Sequence, residues 1–254
     1  MKKSIVVICT LILFFSIIVF AQVNSAINPE SSTYNPGTKE VTFHAVKGWN
    51  FAPFSLSSQT NEDTTIENRC RVDYVLATFL WDSTEAKYFG WADASDMQSP
   101  TGQQLGGRNG PYESWSMYYD KYLQLVNLAQ QGNAFASNGA AFAYVTQPCD
   151  IKLRFENTNP GKKLSKNANF IHIASWMVGQ SPKSIFSNCI IEKINTWSNQ
   201  RQAWALSAEE MDSKAKEFQN DETPISEELL GTPFIIYVND DCEMQGIPYG
   251  NDAI

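Results

Sequence analysis

The groups from which acid–base, metal or redox chemistry would have to be built are few: two histidines, His44 and His172, five cysteines, and 27 carboxylates against 19 cations. Each histidine precedes a tryptophan, Trp49 or Trp176, in an alternating apolar run. A residue met twice in one setting reads as packing of a repeated element rather than as half of an active site. Three acidic clusters, Asp82 with Glu85, Asp93 with Asp96, and Asp240 and Asp241 with Glu243, have the oxygen chemistry calcium needs. None follows the twelve-residue loop that supplies its six to eight ligands. They are expected to be solvated acidic loops, with no metal and no cofactor. The paired Cys or His spacing of a zinc site is missing, as are a zincin helix, a nucleophile elbow, a phosphate loop and a dinucleotide fingerprint. No catalytic residue is therefore assigned, and a non-enzymatic role is favoured over an enzymatic one.

The cysteines point to redox compartment instead. Lys2 and Lys3 precede an almost wholly apolar run from Ile5 to Phe20, and Val19-Phe20-Ala21 or Val23-Asn24-Ser25 offers small residues for cleavage. Residues 1–21 read as a signal peptide, with retention as an N-terminal anchor the alternative. The run is close to the minimum that spans a bilayer. Losing Lys2 and Lys3 moves the formal charge from −8 to −10. An acidic exported chain makes a poor partner for nucleic acid, which needs a basic face. Cys70, Cys149, Cys189 and Cys242 remain, and an even set in an exported chain reads as disulfides.

Tryptophan and tyrosine supply the remaining chemistry, the stacking of ring faces on sugars or on a protein partner. Trp81, Tyr88, Trp91, Trp197 and Trp204 lie near expected hairpin turns and form the candidate ligand-binding set. Packing across a hairpin is the competing use of the same rings.

These residues fall in two matched series. Tyr144-Val-Thr-Gln-Pro-Cys149-Asp-Ile151 is answered by Tyr237-Val-Asn-Asp-Asp-Cys242-Glu-Met244. Upstream, Gly139-Ala-Ala-Phe142 answers to Gly231-Thr-Pro-Phe234. Trp81 and Tyr88 answer to Trp197 and Trp204, and Cys70 with Val72 and Val75 to Cys189 with Ile191 and Ile194. His44 and Trp49 answer to His172 and Trp176. Self-similarity of this kind marks a duplicated architecture, and duplication selects one disulfide pairing, Cys70 with Cys149 and Cys189 with Cys242. The chain then divides into a flexible leader, 22–39; a first unit, 40–157, with an insertion at about 95–139; a second unit, 168–246; and a polar tail, 247–254. In the first unit Val41–Val46 alternates as a strand and Gly48-Trp49-Asn50 turns out of it. A hairpin joins Val72–Trp81 to Lys87–Trp91, and a helix follows Pro111, with Trp115, Tyr118, Tyr119 and Tyr122 on one stripe. In the second unit Phe170–Ala174 opens and a hairpin joins Ile190–Trp197 to Gln202–Ala205. Ser207-Ala-Glu-Glu210 caps a helix, and Phe234–Val238 closes as a central strand. The expected class is α+β: two tandem, diverged β-rich units, each an antiparallel sheet with a helix before the closing strand.

With Gly48-Trp49-Asn50 at the opening and aromatic runs ending in Cys149 and Cys242, the pattern resembles extracytoplasmic β-rich repeat units of archaeal and bacterial surface proteins. The second unit departs at its opening, where Ser175-Trp176-Met177 keeps only the tryptophan. The resemblance implies a surface module and transfers no catalytic residue. The expectation is a secreted or cell-surface, non-enzymatic module that binds a glycan or a protein, touching the membrane only through an uncleaved N-terminal segment. A secreted carboxylate-dependent hydrolase of cell-wall polymer and a structural surface-layer or fibre component are the alternatives.

Overall fold

A computed structural model describes residues 32–38, 40–53, 75–83, 86–92, 139–154 and 161–245, with the backbone alone for 75–80, 82, 87–92, 153 and 154. The apolar N-terminal segment, Cys70, the expected helix after Pro111 and the tail lie outside the described residues. The described residues form small antiparallel sheets with few helices.

Alternation builds the first sheet. In β2 (Glu40–Ala45) Val41, Phe43 and Ala45 are buried and the residues between them half-exposed, the period of a strand with one face on a core. It lies between β1 (Ser32–Asn35) and β7 (Cys149–Arg154). A four-stranded sheet follows in the order β3-β6-β4-β5, from β3 (Gly48–Pro53), β4 (Val75–Asp82), β5 (Lys87–Ala92) and β6 (Ala140–Val145). Gly48-Trp49-Asn50 therefore opens a strand and does not leave one. The bend lies just before it, and Asn50 closes that bend. Its Oδ1 accepts from Val46 N at 2.9 Å, while its Nδ2 donates to the carbonyls of Val46 and Gly48 at 2.7 and 3.0 Å.

The later strands are β8 (Lys163–Leu164), β9 (Asn167–His172), β10 (Ile191–Asn195), β11 (Trp197–Ser198), β12 (Ala203–Trp204), β13 (Pro233–Val238) and β14 (Cys242–Glu243). They pair as β10-β13-β9, β14-β8 and β11-β12. The order β9-β13-β10 is that of β3-β6-β4, and the agreement extends to irregularities. Ala45 faces Cys149 but Gly48 faces Val145; Leu164 faces Cys242 but Asn167 faces Val238. Val75 faces Val145, and after a bulge Ala77 faces Tyr144; Ile191 faces Val238, and after a bulge Lys193 faces Tyr237. Asn169 bonds Ser165 N at 3.0 Å and the carbonyls of Ser165 and Asn167 at 2.7 and 3.1 Å, as Asn50 does at its own bend.

This register corrects several expected matches. The place of Trp49 is held by Ala168, since these face Tyr144 and Tyr237; Trp176 lies instead in a short 3-10 turn, Ser175–Met177, 4 % exposed in the later core. His44 faces Asp150 as Lys163 faces Glu243, whereas His172 ends β9 opposite Pro233, so the two histidines are not counterparts. Ile235 stands where Phe142 does, opposite Phe170 and Phe51, and Val75 answers to Ile191. The later strands begin at Lys163, ahead of the expected boundary at 168, and β9 starts and ends earlier than Phe170–Ala174.

Helix α1 (Pro182–Ile185) and helix α2 (Ala208–Gln219) complete the later half. Glu210 accepts from Ser207 N and Oγ at 2.9 and 2.8 Å, the expected capping contact. Ala215 and Phe218 face a core that includes Ile171, Ile173, Phe186, Ile194, Phe234 and Ile236. At the end of α2 the Gln219 amide holds the backbone of Cys189 and Ile191. Cys189 is bonded to Cys242, Cα atoms 5.4 Å apart; Cys149 is also disulfide-bonded, to a partner outside the described residues. Among the described residues no helix is long and apolar enough to cross a membrane.

Candidate functional site

The sheets β3-β6-β4-β5 and β10-β13-β9 meet through a cluster of rings. Phe51, Ala140, Ala168, Phe170 and Ile235 are buried there, and Trp81, Phe142, Trp197 and Tyr237 are half-buried against them. Strand alternation puts Trp49 and Phe51 of β3, and Phe142 and Tyr144 of β6, on the same face. Phe51 stacks on Phe142 at 4.8 Å, and Trp81 stacks on Phe170 at 5.4 Å. Two bonds cross the seam reciprocally: Trp81 Nε1 donates to Ala168 O at 2.8 Å, and Trp197 Nε1 donates to Trp49 O at 3.3 Å. Because Ala168 and Trp49 hold the same place in register, the contact has the form of an isologous interface, one patch meeting its own counterpart.

Two of the five candidate rings are thereby accounted for. Trp81 and Trp197, both half-buried, join the two sheets, with their indole N–H groups satisfied across the seam. The side chains of Tyr88 and Trp91, on β5, lie outside the described residues. Trp204 differs. It is 42 % exposed, one of two large exposed hydrophobics among the described residues. It stands edge-on to Trp197 at 5.4 Å and to Phe142 at 5.8 Å, so its ring is held by other rings rather than by a flexible loop.

Sequence reasoning missed the residues that fix this corner. Residues 199–202 join β11 to β12, and Gln202 has φ of 52°. Its side-chain amide pairs with β3 as a neighbouring strand would: Oε1 accepts from Trp49 N at 2.6 Å and Nε2 donates to Trp49 O at 2.7 Å. Asn199 Oδ1 accepts from Phe51 N at 2.9 Å. Gly48, with φ of 106°, makes room, because a Cβ there would collide with the Gln202 amide. The positive φ at Gln202 has a counterpart at Ala86, φ 50°, in the other hairpin. A glycine facing a polar hairpin turn is too weak a signal to find from one sequence. Trp49 meets Tyr144 edge-on at 5.2 Å, and its backbone carbonyl takes the Trp197 indole N–H.

A second arrangement carries the atoms of hydrolytic chemistry. Thr33 Oγ1 is 3.1 Å from His44 Nε2, and His44 Nδ1 is 2.8 Å from Asp150 Oδ1, the order hydroxyl, imidazole, carboxylate. With Nδ1–H donating to Asp150, Nε2 accepts from the threonine. The three residues sit on adjacent strands, with the imidazole and carboxylate side chains 43 % and 27 % exposed. In that setting water screens the charge that would drive proton transfer, and the contacts are those of a cross-strand ladder. His172 is the opposite case. Its Nδ1 is 2.7 Å from Gly139 O, which can only accept, so Nδ1 carries the proton. Burial pushes its pKa down to about 4, outweighing the opposite pull of the Gly139 bond. The ring is a neutral structural group at working pH.

The acidic cluster after β13 is used locally: Asp241 accepts from Lys166 N at 2.7 Å and Asp240 lies 3.8 Å from Lys166 Nζ. Among the described residues no three metal-binding groups gather. Asp82, Glu85, Asp93 and Asp96 have side chains outside the described part. No family model, no curated protein and no solved structure matches the chain.

Proposed function

We propose that this chain is an exported, non-enzymatic binding module of the extracytoplasmic surface-repeat kind, built from two diverged copies of one β-rich unit. The duplication is supported by the common strand order, the matching bulges, the two asparagine-closed bends and the reciprocal tryptophan bonds. Export is supported by the Cys189–Cys242 disulfide, since such bonds persist in oxidising compartments. The module binds a glycan or protein on the cell surface through its exposed rings. The observation that carries this is Trp204, an exposed indole seated on Trp197 and Phe142. A ring held in place before binding loses little conformational freedom when a ligand covers it. The test is saturable binding of the labelled full chain to the envelope fraction of cells that make it, with and without Trp204→Ala. Binding that saturates and weakens in the variant supports the reading; no saturable binding to the envelope fraction overturns it.

A further inference from the structure

We infer, resting on the binding reading above, that the two seams between the halves have divided their roles: the one where hairpin β11–β12 crosses β3 and β6 binds ligand, and that ligand is a glycan. Four of the matched places that differ give the first seam a ring, an amide or a larger ring; at others, such as Gly48 against Asn167 and Ala203 against Lys87, the second seam has the longer side chain. Where the first has Trp49, Phe142, Gln202 and Trp204, the second, where β4–β5 crosses β9 and β13, has Ala168, Ile235, Ala86 and Tyr88. Three of the four differences add an aromatic ring or an amide on the first side, and the fourth enlarges a ring already present. Holding the sheets together does not require these additions, because the second seam makes its tryptophan bond, Trp81 to Ala168, with an alanine, and at the shorter distance.

The size of the exposed surface selects the ligand class. Among the described residues Trp204 is the one large exposed hydrophobic at this seam, seated on Phe142 and half-exposed Trp197. That is a few rings, far short of the roughly 800 Å² per partner of a stable protein interface. It suits a saccharide, whose C–H face stacks on the electron-rich face of an indole. Stacking of this kind needs no charge on the ligand, so binding should depend little on salt.

The experiment uses the oxidised full chain on a glycan array. Hits are followed by titration of the matching soluble oligosaccharide against wild type, Trp204→Ala and Tyr88→Ala, the substitution at the matched hairpin place. The expected result is glycan binding by wild type, weakened at least about tenfold in Trp204→Ala and within about twofold of wild type in Tyr88→Ala, with both variants still unfolding in one cooperative transition. Equal loss in both variants, or none in Trp204→Ala, overturns the division of roles while leaving the binding module intact. If no glycan binds but a protein is retained from the envelope in a Trp204-dependent manner, the glycan assignment fails and the module reading survives. If nothing saturable binds, both fall.

Discussion

Acid should unfold this protein through His172. Burial holds the ring neutral, with its pKa down at about 4, while in the unfolded chain it returns to about 6.5. Between those values the unfolded chain binds a proton that the native chain does not. Stability is then fully present above about pH 6.5 and falls as pH falls, by about 1.4 kcal/mol per unit, until the native ring titrates as well. The total is about 3 kcal/mol, a large part of the 5–15 kcal/mol that holds a typical domain. Urea unfolding of wild type and His172→Asn at about pH 7, 6, 5 and 4 measures it. Asparagine keeps a donor for the Gly139 carbonyl and does not titrate, while His44 and every carboxylate are common to both proteins and cancel in the difference. The variant should be the less stable at neutral pH, from lost packing, and that gap should shrink by about 3 kcal/mol on reaching pH 4. Two stability curves that stay parallel across the range would refute the argument.

Three further outcomes follow from the geometry. Cys242→Ser removes a bridge between residues 53 apart in sequence and should lower stability by about 4 kcal/mol, read by denaturant titration; a peptide map of unreduced wild type should join the Cys189 and Cys242 peptides. Asn169→Ala leaves one N–H and two carbonyls at the β8–β9 bend without their side-chain partner and should cost about 2–4 kcal/mol, while a change below about 0.5 kcal/mol would show that the clamp contributes nothing. Gly48→Ala should cost about 1–3 kcal/mol from backbone strain and collision with Gln202. Adding Gln202→Ala should recover part of that loss, and strictly additive losses would mean that the two positions do not touch.

Elements that obey a period were legible in the chain. The alternation of Val41, Phe43 and Ala45, the strands β4 and β5 of the first hairpin, the Ser207–Glu210 cap and the apolar β13 stand close to where pattern places them. The Cys189–Cys242 bridge also agrees with the pairing expected from matched cysteines. What pattern could not supply was register. Matching rare residues by type paired His44 with His172 and Trp49 with Trp176, because rarity looks like identity in a one-dimensional comparison. Strand pairing shows that the bend tests something else: a residue that accepts positive φ, followed two places on by an asparagine. Gly48 with Asn50 meets that requirement, and so does Asn167 with Asn169, although glycine and asparagine share no side-chain chemistry.

The same logic explains which residues stayed alike. Trp81 and Trp197 each reach across the seam to a backbone carbonyl, and any residue can offer a carbonyl, so the seams accept Trp49 in one and Ala168 in the other while both use an indole donor. Gly48 is constrained by the Gln202 amide lying against it rather than by its own matched position, where Asn167 carries a full side chain. Constraint in a seam of isologous form therefore runs between the residues that touch across it, not between matched places. On the proposed reading of two diverged copies, one seam can accumulate rings and amides while the other stays plain.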